Sequence, residues 1–541
     1  MEVYSEITKR VEELAFEEGA EAVRAAILYG SRVSGYARED SDYDVIAIMD
    51  RLPERIQYHY KPFGDVKLAI LAVDREIFES DVKDSLLGDF VSGRLFTPFI
   101  PLSGSDYVKA WEVSMKRRVA LEELIELAYL YEPVLDYLLV EPTYIVVNYL
   151  KKRARAYPPV GYSYRLMLSG VKGEDNLKII MNGLYEALKL LESDGYVKLL
   201  DRFIRLDRSI LSRTDSRGYV FKKMGGSIVK AVKSYAVHTY AGREVFLRVF
   251  LEEFASKLLR SYRASSFKLN TRGYISLPTH TGIQAIDRGV ALTSILKELG
   301  FEKPRVKRIG HLLSLAYLIE DDGRKITIKM YGKFDLAKWL PVSLWSQLAV
   351  DFEVKPRRRL LNEYLGFMRF SERGLPYTPI IYLDLRRLYM VREYVPGDTL
   401  TSILRRRSGE VGGIYRLLGS LLGRVHSLGY RLGDVKPSNI LLGSDGRLYI
   451  LDLEQFKESN QGLGWDIAEL LYLTGVELSG GKSIKLLEEL VDCLIDGYIA
   501  GGGSIHILED ASSLKYYGVF APLIPLESSF IAKKLRDRSY S

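Results

Sequence analysis

Asp434, Lys436 two residues on, Asn439 five residues on, and Asp452 beyond a glycine-containing turn have the types and spacing needed to move a phosphoryl group. Asp434 can orient an attacking hydroxyl and accept its proton, and Lys436 can offset charge on the group in flight. Asn439 and Asp452 offer oxygen ligands that can hold Mg²⁺ against the phosphates of ATP. Those ligands must converge from two strands of one hairpin, and two apolar runs are placed to form it: Ile440-Leu441-Leu442 and Tyr449-Ile450-Leu451. A lone Asp-x-x-x-x-Asn would mean little, but here further parts lie in order around it.

A second constellation lies near the N-terminus. Residues 6–18 have helical periodicity, and residues 25–29 read as a buried strand ending at Gly30-Ser31. In Ser41-Asp42-Tyr43-Asp44-Val45-Ile46 the two acids are two apart on a strand and so share a face. Like charges so placed repel unless a cation lies between them, which is how a metal site for a nucleoside triphosphate is built. Gly30 and Ser31 open a helix whose first amides can hold phosphate.

Gly-Ser followed by Asp-x-Asp resembles the minimal nucleotidyltransferase branch of the DNA polymerase beta superfamily, over about residues 20–105. The resemblance implies a nucleotidyltransferase-like site at Gly30, Ser31, Asp42 and Asp44. That family usually has a third carboxylate in the next strand. Here the strand reads Asp65-Val66-Lys67-Leu68-Ala69-Ile70-Leu71, with Lys67 where the acid would stand. Asp65, on the same face, is the available substitute, and Lys67 is a cation able to neutralise the pair without metal. The head is expected to be degenerate, and inactive or feeble.

Around Asp434 the resemblance is to protein kinases, over roughly residues 305–480. Residues 305–320 and 324–330 alternate like the first strands of a small lobe, and Ile326-Thr327-Ile328-Lys329 matches the family's Val-Ala-Ile-Lys. By that resemblance Lys329 holds the α- and β-phosphates, oriented by an acid on the following helix, with Glu363 first choice and Glu353 second. Met390-Val391-Arg392-Glu393-Tyr394-Val395-Pro396-Gly397 resembles the hinge, implying that Glu393, Tyr394 and Val395 meet the adenine of ATP. Residues 417–428 supply the helix before the catalytic loop. Trp465-Asp466 resembles the buried helix whose Asp steadies that loop, although an Asp there also suits a helix N-cap. Two departures stand out: Ile309-Gly310-His311-Leu312-Leu313-Ser314 keeps one glycine of the glycine-rich loop, and the metal motif is Asp452-Leu453-Glu454, without its glycine. These traits resemble the small atypical kinases, namely RIO-type kinases, lipopolysaccharide kinases and the kinase of the tRNA threonylcarbamoyladenosine complex.

Charge is unevenly spread. The 541 residues carry a net +7, but residues 1–150 hold 16 Lys/Arg against 28 Asp/Glu, and residues 151–270 hold 24 against 11. Such an excess is a footprint for phosphate-rich partners, or else a basic surface balancing its acidic neighbour. Helical patterns run over residues 107–131, 144–155 (closed by Pro158-Pro159) and 177–191, followed by an Asp194-Gly195 turn and two short strands to Leu206, which look like the end of a winged helix. Lys151, Lys152, Arg153 and Arg155 end one helix, where cations also suit the dipole, and Lys222 and Lys223 continue the basic run. These are the candidate RNA contacts.

The chain is therefore expected to be multidomain α+β: a nucleotidyltransferase-like α/β head over residues 1–105, a basic helical and winged-helix middle over 106–270, and an atypical, bilobal protein-kinase-like domain over 271–541. One cysteine, Cys493, excludes an internal disulfide, and no apolar run reaches spanning length, so a cytoplasmic protein is expected. Scarce Asn and Gln, 12 together, suit a thermophile. The combination resembles archaeal RNA kinases that phosphorylate a ribose 2′-hydroxyl of tRNA, with ATP and Mg²⁺ as cofactors. A Ser/Thr kinase acting on protein, an active nucleotidyltransferase regulated by its kinase head, and a noncatalytic nucleotide- and RNA-binding adaptor are the alternatives.

Overall fold

The computed structural model describes residues 2–157, 159–212, 271–309, 315–332, 351–406, 411–479 and 484–539. Lys222 and Lys223 lie outside the described residues, as does most of the glycine-poor stretch at 309–314. The chain divides into two compact units, Met1–Ser276 and Leu277–Ser541.

In the first unit, α1 (Glu2–Glu17) sets Ile7, Val11 and Leu14 at helical spacing against one face of a five-stranded sheet. The sheet comprises β1 (Ala22–Tyr29), β2 (Tyr43–Asp50), β3 (Ile56–Phe63), β4 (Val66–Asp74) and β5 (Ile100–Ser103), in the order β3-β4-β2-β1-β5. Val45, Ala47 and Met49 of β2 join Leu68, Ile70 and Ala72 of β4 under α1. Strand alternation then turns Asp44 to the opposite face. A short helix, α2 (Ser31–Ser34), follows β1, and α3 (Arg75–Asp84) follows β4.

Beyond β5 come α4 (Ser105–Leu130), β6 (Leu139–Val140), α5 (Thr143–Ala156), α6 (Pro159–Ser169), α7 (Gly173–Ser193), β7 (Val197–Leu199) and β8 (Ile204–Leu206). α5 stops at Ala156 ahead of the two prolines, of which Pro158 lies outside the described residues, and Pro159 opens α6, since Pro is tolerated in a first helical turn. β6 pairs with β8, and β8 with β7, so strand, helices and hairpin follow in winged-helix order. These helices pack on one another and on the head: Lys116 of α4 donates to the Ile180 carbonyl of α7, and Asn176 of α7 donates to that of Ser34 in the head.

The second unit contains a sheet of β9 (Arg305–Arg308), β10 (Leu315–Asp321), β11 (Arg324–Met330), β12 (Ile380–Asp384) and β13 (Tyr389–Glu393), in the order β9-β10-β11-β13-β12. Ile319, Ile326, Ile328, Tyr389 and Val391 fill a core on one face. Lys329 and Arg392 therefore share the other face, since Thr327 pairs with Arg392 and Lys329 with Met390. Helix α8 (Pro356–Glu372) begins with a proline in its first turn. Next come α9 (Val411–Ser427), a hairpin of β14 (Ile440–Gly443) and β15 (Leu448–Ile450), α10 (Leu463–Leu478) and α11 (Ile484–Ala500). No described helix is long and apolar enough to cross a membrane.

Candidate active site

The loop between α9 and β14 holds Asp434 with its carboxylate bridged by Lys436 Nζ, 2.9 Å from each oxygen. Asn439 donates to the Asp434 carbonyl at 3.1 Å and to Oδ2 at 3.0 Å. With its amide nitrogen so engaged, Asn439 has its oxygen left for a cation. Three acceptors from α10 hold the loop backbone: Asp466 takes the N–H of Leu432 and of Gly433, each at 2.7 Å, and Glu469 takes that of Val435 at 2.7 Å. The N-cap of α10 is Gly462, so Asp466 is no cap. His426 of α9 reaches the same carboxylate at 3.2 Å, and its other nitrogen meets Tyr498 of α11 at 2.9 Å.

Opposite this loop, Lys329 Nζ lies among three carboxylates, 2.7 Å from Glu363, 2.9 Å from Asp452 and 2.8 Å from Glu454. Glu353 is elsewhere, accepting from the Lys355 N–H. Burial pushes the Asp452 carboxyl up, but the ammonium groups of Lys329 and Lys436 pull harder and hold it below the usual carboxylate range. In spite of burial, Asp452, Glu363 and Glu454 keep Lys329 charged, and Asp434, with Asp452 and Glu469, keeps Lys436 charged. An ionised Asp452 and a free Asn439 oxygen are the hard donor set that Mg²⁺ takes. At the hinge, the Glu393 N–H donates to the Pro379 carbonyl at 3.0 Å, so Tyr394 and Val395 bring the next backbone groups available to a base.

In the first unit, Gly30 adopts a positive φ of 85°, and a Cβ there would meet Asp44 Oδ2 at 2.1 Å. Only glycine permits that close approach. Ser31 opens α2, Asp42 precedes β2, and Asp44 pairs with Tyr29 of β1 and Ala69 of β4. Tyr43 pairs with Leu68, so continuing the parallel register sets Asp42 level with exposed Lys67. Asp65 lies in the turn before β4, four residues short of Ala69 and so about 13 Å along the strand from the level of Asp44.

Comparison with known proteins agrees with two different heads. Residues 7–93 match the nucleotidyltransferase domain family. The chain is 27% identical over 179 residues to a probable serine/threonine-protein kinase BUD32 homolog of Archaeoglobus fulgidus, covering 33% of this chain and 84% of that one. It is 26% identical over 121 residues to the KEOPS complex subunit Bud32 of Pyrococcus abyssi, covering 22% of this chain and about half, 54%, of that one. A solved choline kinase, LicA of Streptococcus pneumoniae, aligns at 15% identity with a TM-score of 0.25, covering 46% of this chain and 91% of that one. The chain carries a kinase-like phosphotransferase unit. It is fused to a nucleotidyltransferase-like head.

Several residues of the kinase-like unit escaped the sequence reading. Arg359 of α8 pairs with Glu454, and Asn362 donates to the Glu454 carbonyl at 3.3 Å. Tyr331 donates to Glu363 at 2.7 Å, and Arg392 to the other Glu363 oxygen at 3.0 Å. The signal for Arg359 was present in outline, because 359, 362, 363 and 366 fall on one helical face, and Gly366 is where Leu453 and Phe456 pack close. Nothing local identified Arg392 or Tyr331.

The expected RNA contacts of α5 are placed unevenly. Lys152 bonds Glu123 at 2.7 Å and Glu126 at 2.5 Å. Arg153 bonds the Asp89 carbonyl, Tyr164 at 3.0 Å and Tyr149 at 3.2 Å. Lys152 is thus tied to two acids of α4, and Arg153 to a backbone carbonyl and two tyrosines. Lys151 is partly buried, and Arg155 is exposed.

Proposed function

We propose that the kinase-like unit transfers the γ-phosphate of ATP to a hydroxyl of structured RNA, a tRNA ribose being the first choice of acceptor. The observation that carries the transfer is Asp434 with Lys436 on both its oxygens and Asn439 beside it. Asp434 accepts the proton of the acceptor hydroxyl, Lys436 offsets charge on the transferred group, and Lys329 steadies the phosphates. Mg²⁺, held by Asn439 and Asp452, would neutralise the β- and γ-oxygens.

RNA as acceptor is supported by the winged-helix order of the first unit and by the 24 Lys/Arg against 11 Asp/Glu of residues 151–270. Arg155, with Lys222 and Lys223, is the preferred contact set, and Lys152 and Arg153 are set aside as structural. The second reading, a Ser/Thr kinase acting on protein, is favoured by the names of the matched kinases. Incubation with γ-labelled ATP and a whole-cell extract, followed by nuclease or protease, tests both. Label released by ribonuclease is the expected result. Label released only by protease overturns the RNA reading.

A further inference from the structure

Glu363 is fully buried, and both its oxygens are engaged, Oε2 by Lys329 and Tyr331, each at 2.7 Å, and Oε1 by Arg392 at 3.0 Å. The same Arg392 nitrogen also donates to the Leu451 carbonyl at 3.0 Å, one residue before Asp452. A single guanidinium thus spans helix α8 and the strand leading to the metal ligand. Its planar group also lies over the Phe367 ring, 4.8 Å from the centroid, which fixes its orientation.

We propose that Arg392 is a positioning residue of the phosphotransfer site, locking Glu363 in the orientation that aims Lys329 at the phosphates; this rests on the site assignment above. Three carboxylates compete for the Lys329 ammonium. If Glu363 swings away, Lys329 is left to Asp452 and Glu454 and is drawn toward the metal ligand. Removing Arg392 leaves Glu363 Oε1 a buried carboxylate oxygen without its donor, and that side chain then gains by moving toward water. Arg392 touches neither phosphate nor acceptor in this scheme and acts through Glu363. Because the lock is made of the fold's own side chains, the Lys329–Glu363 pair stands assembled without an activating modification.

The test uses the full chain, γ-labelled ATP with water as acceptor, and a fluorescent ATP analogue for binding. Hydrolysis needs no knowledge of the natural acceptor. Arg392→Met is expected to lower kcat for hydrolysis by about 10- to 100-fold while the KM for ATP changes by less than about threefold. Arg392→Lys, which can reach Glu363 but lacks the fork, is expected to recover part of the loss. In a Glu363→Gln background, Arg392→Met is expected to cost less than about twofold more, since the two act as one unit. A kcat within twofold of wild type for Arg392→Met, or losses that multiply in the double variant, overturns the proposal. So does loss of a cooperative melt in both Arg392 variants, which would make Arg392 a core residue only. Absence of hydrolysis in the wild type overturns the site assignment itself.

Discussion

Asp466 holds Gly433 by the backbone: its Oδ1 accepts the Gly433 N–H at 2.7 Å, while Oδ2 accepts that of Leu432, also at 2.7 Å. Gly433 precedes Asp434 and has a φ of 79°, which only glycine adopts without strain. The carboxylate therefore sets the peptide that carries Asp434, the proposed base. Asp466→Asn keeps one acceptor oxygen and turns a donor toward a donor. It is expected to lower kcat by tenfold or more, with about 1–3 kcal/mol lost in denaturant melts. Unchanged kcat would separate Asp466 from the loop.

Asp434→Ala and Asp452→Ala are each expected to reduce phosphoryl transfer by about 10²–10⁴-fold or more, one by removing the proton acceptor and the other a magnesium ligand. Transfer of γ-label at the wild-type rate by either variant would falsify the assignment of these roles.

Glu469 gives a pH signature. Burial, and then repulsion from Asp434, push its carboxyl well above the usual range. The folded state thus binds this proton more tightly than the unfolded chain, so the stability it contributes is complete below about pH 4.3 and is lost as pH rises through the folded value. Glu469→Gln can still accept from Val435 and never ionises. It should melt like wild type near pH 4 and several degrees higher at pH 8, taking about 2–4 °C per kcal/mol for a unit of this size. A difference that does not grow with pH rejects the account.

Charge reversals on α5 should divide into two kinds. Lys152→Glu and Arg153→Glu place an anion beside Glu123 or the Asp89 carbonyl, so the first unit should melt lower. Arg155→Glu should leave the melt alone and weaken binding of unfractionated tRNA, with a shallower dependence on salt. tRNA binding that is insensitive to both Arg155→Glu and salt would remove the RNA reading.

The nucleotidyltransferase-like head is expected to incorporate no α-labelled nucleotide. The register sets Ala69 level with Asp44, and Lys67 level with Asp42, leaving no third acid at either position. Incorporation that is lost in Asp42→Ala with Asp44→Ala would show that two acids suffice.

Local sequence determined what depends on nearest neighbours along the chain. Strand alternation marked Asp44 as turned from its apolar neighbours. Helical spacing marked α7, and the Asp-x-Lys-x-x-Asn spacing put Asp434, Lys436 and Asn439 on one loop. What only the tertiary structure decided is which distant groups meet. Arg359 and Glu454 are 95 residues apart, and Arg392 and Leu451 are 59 apart. Lys152 looked like a surface cation because it ends a helix in a basic run, yet α5 packs it against Glu123 of α4. Strand register likewise set Ala69 beside Asp44, and a one-residue slip would have brought a different side chain there. Periodicity records which face of an element is buried. The partner across that face follows from register and packing, which no short stretch of sequence contains.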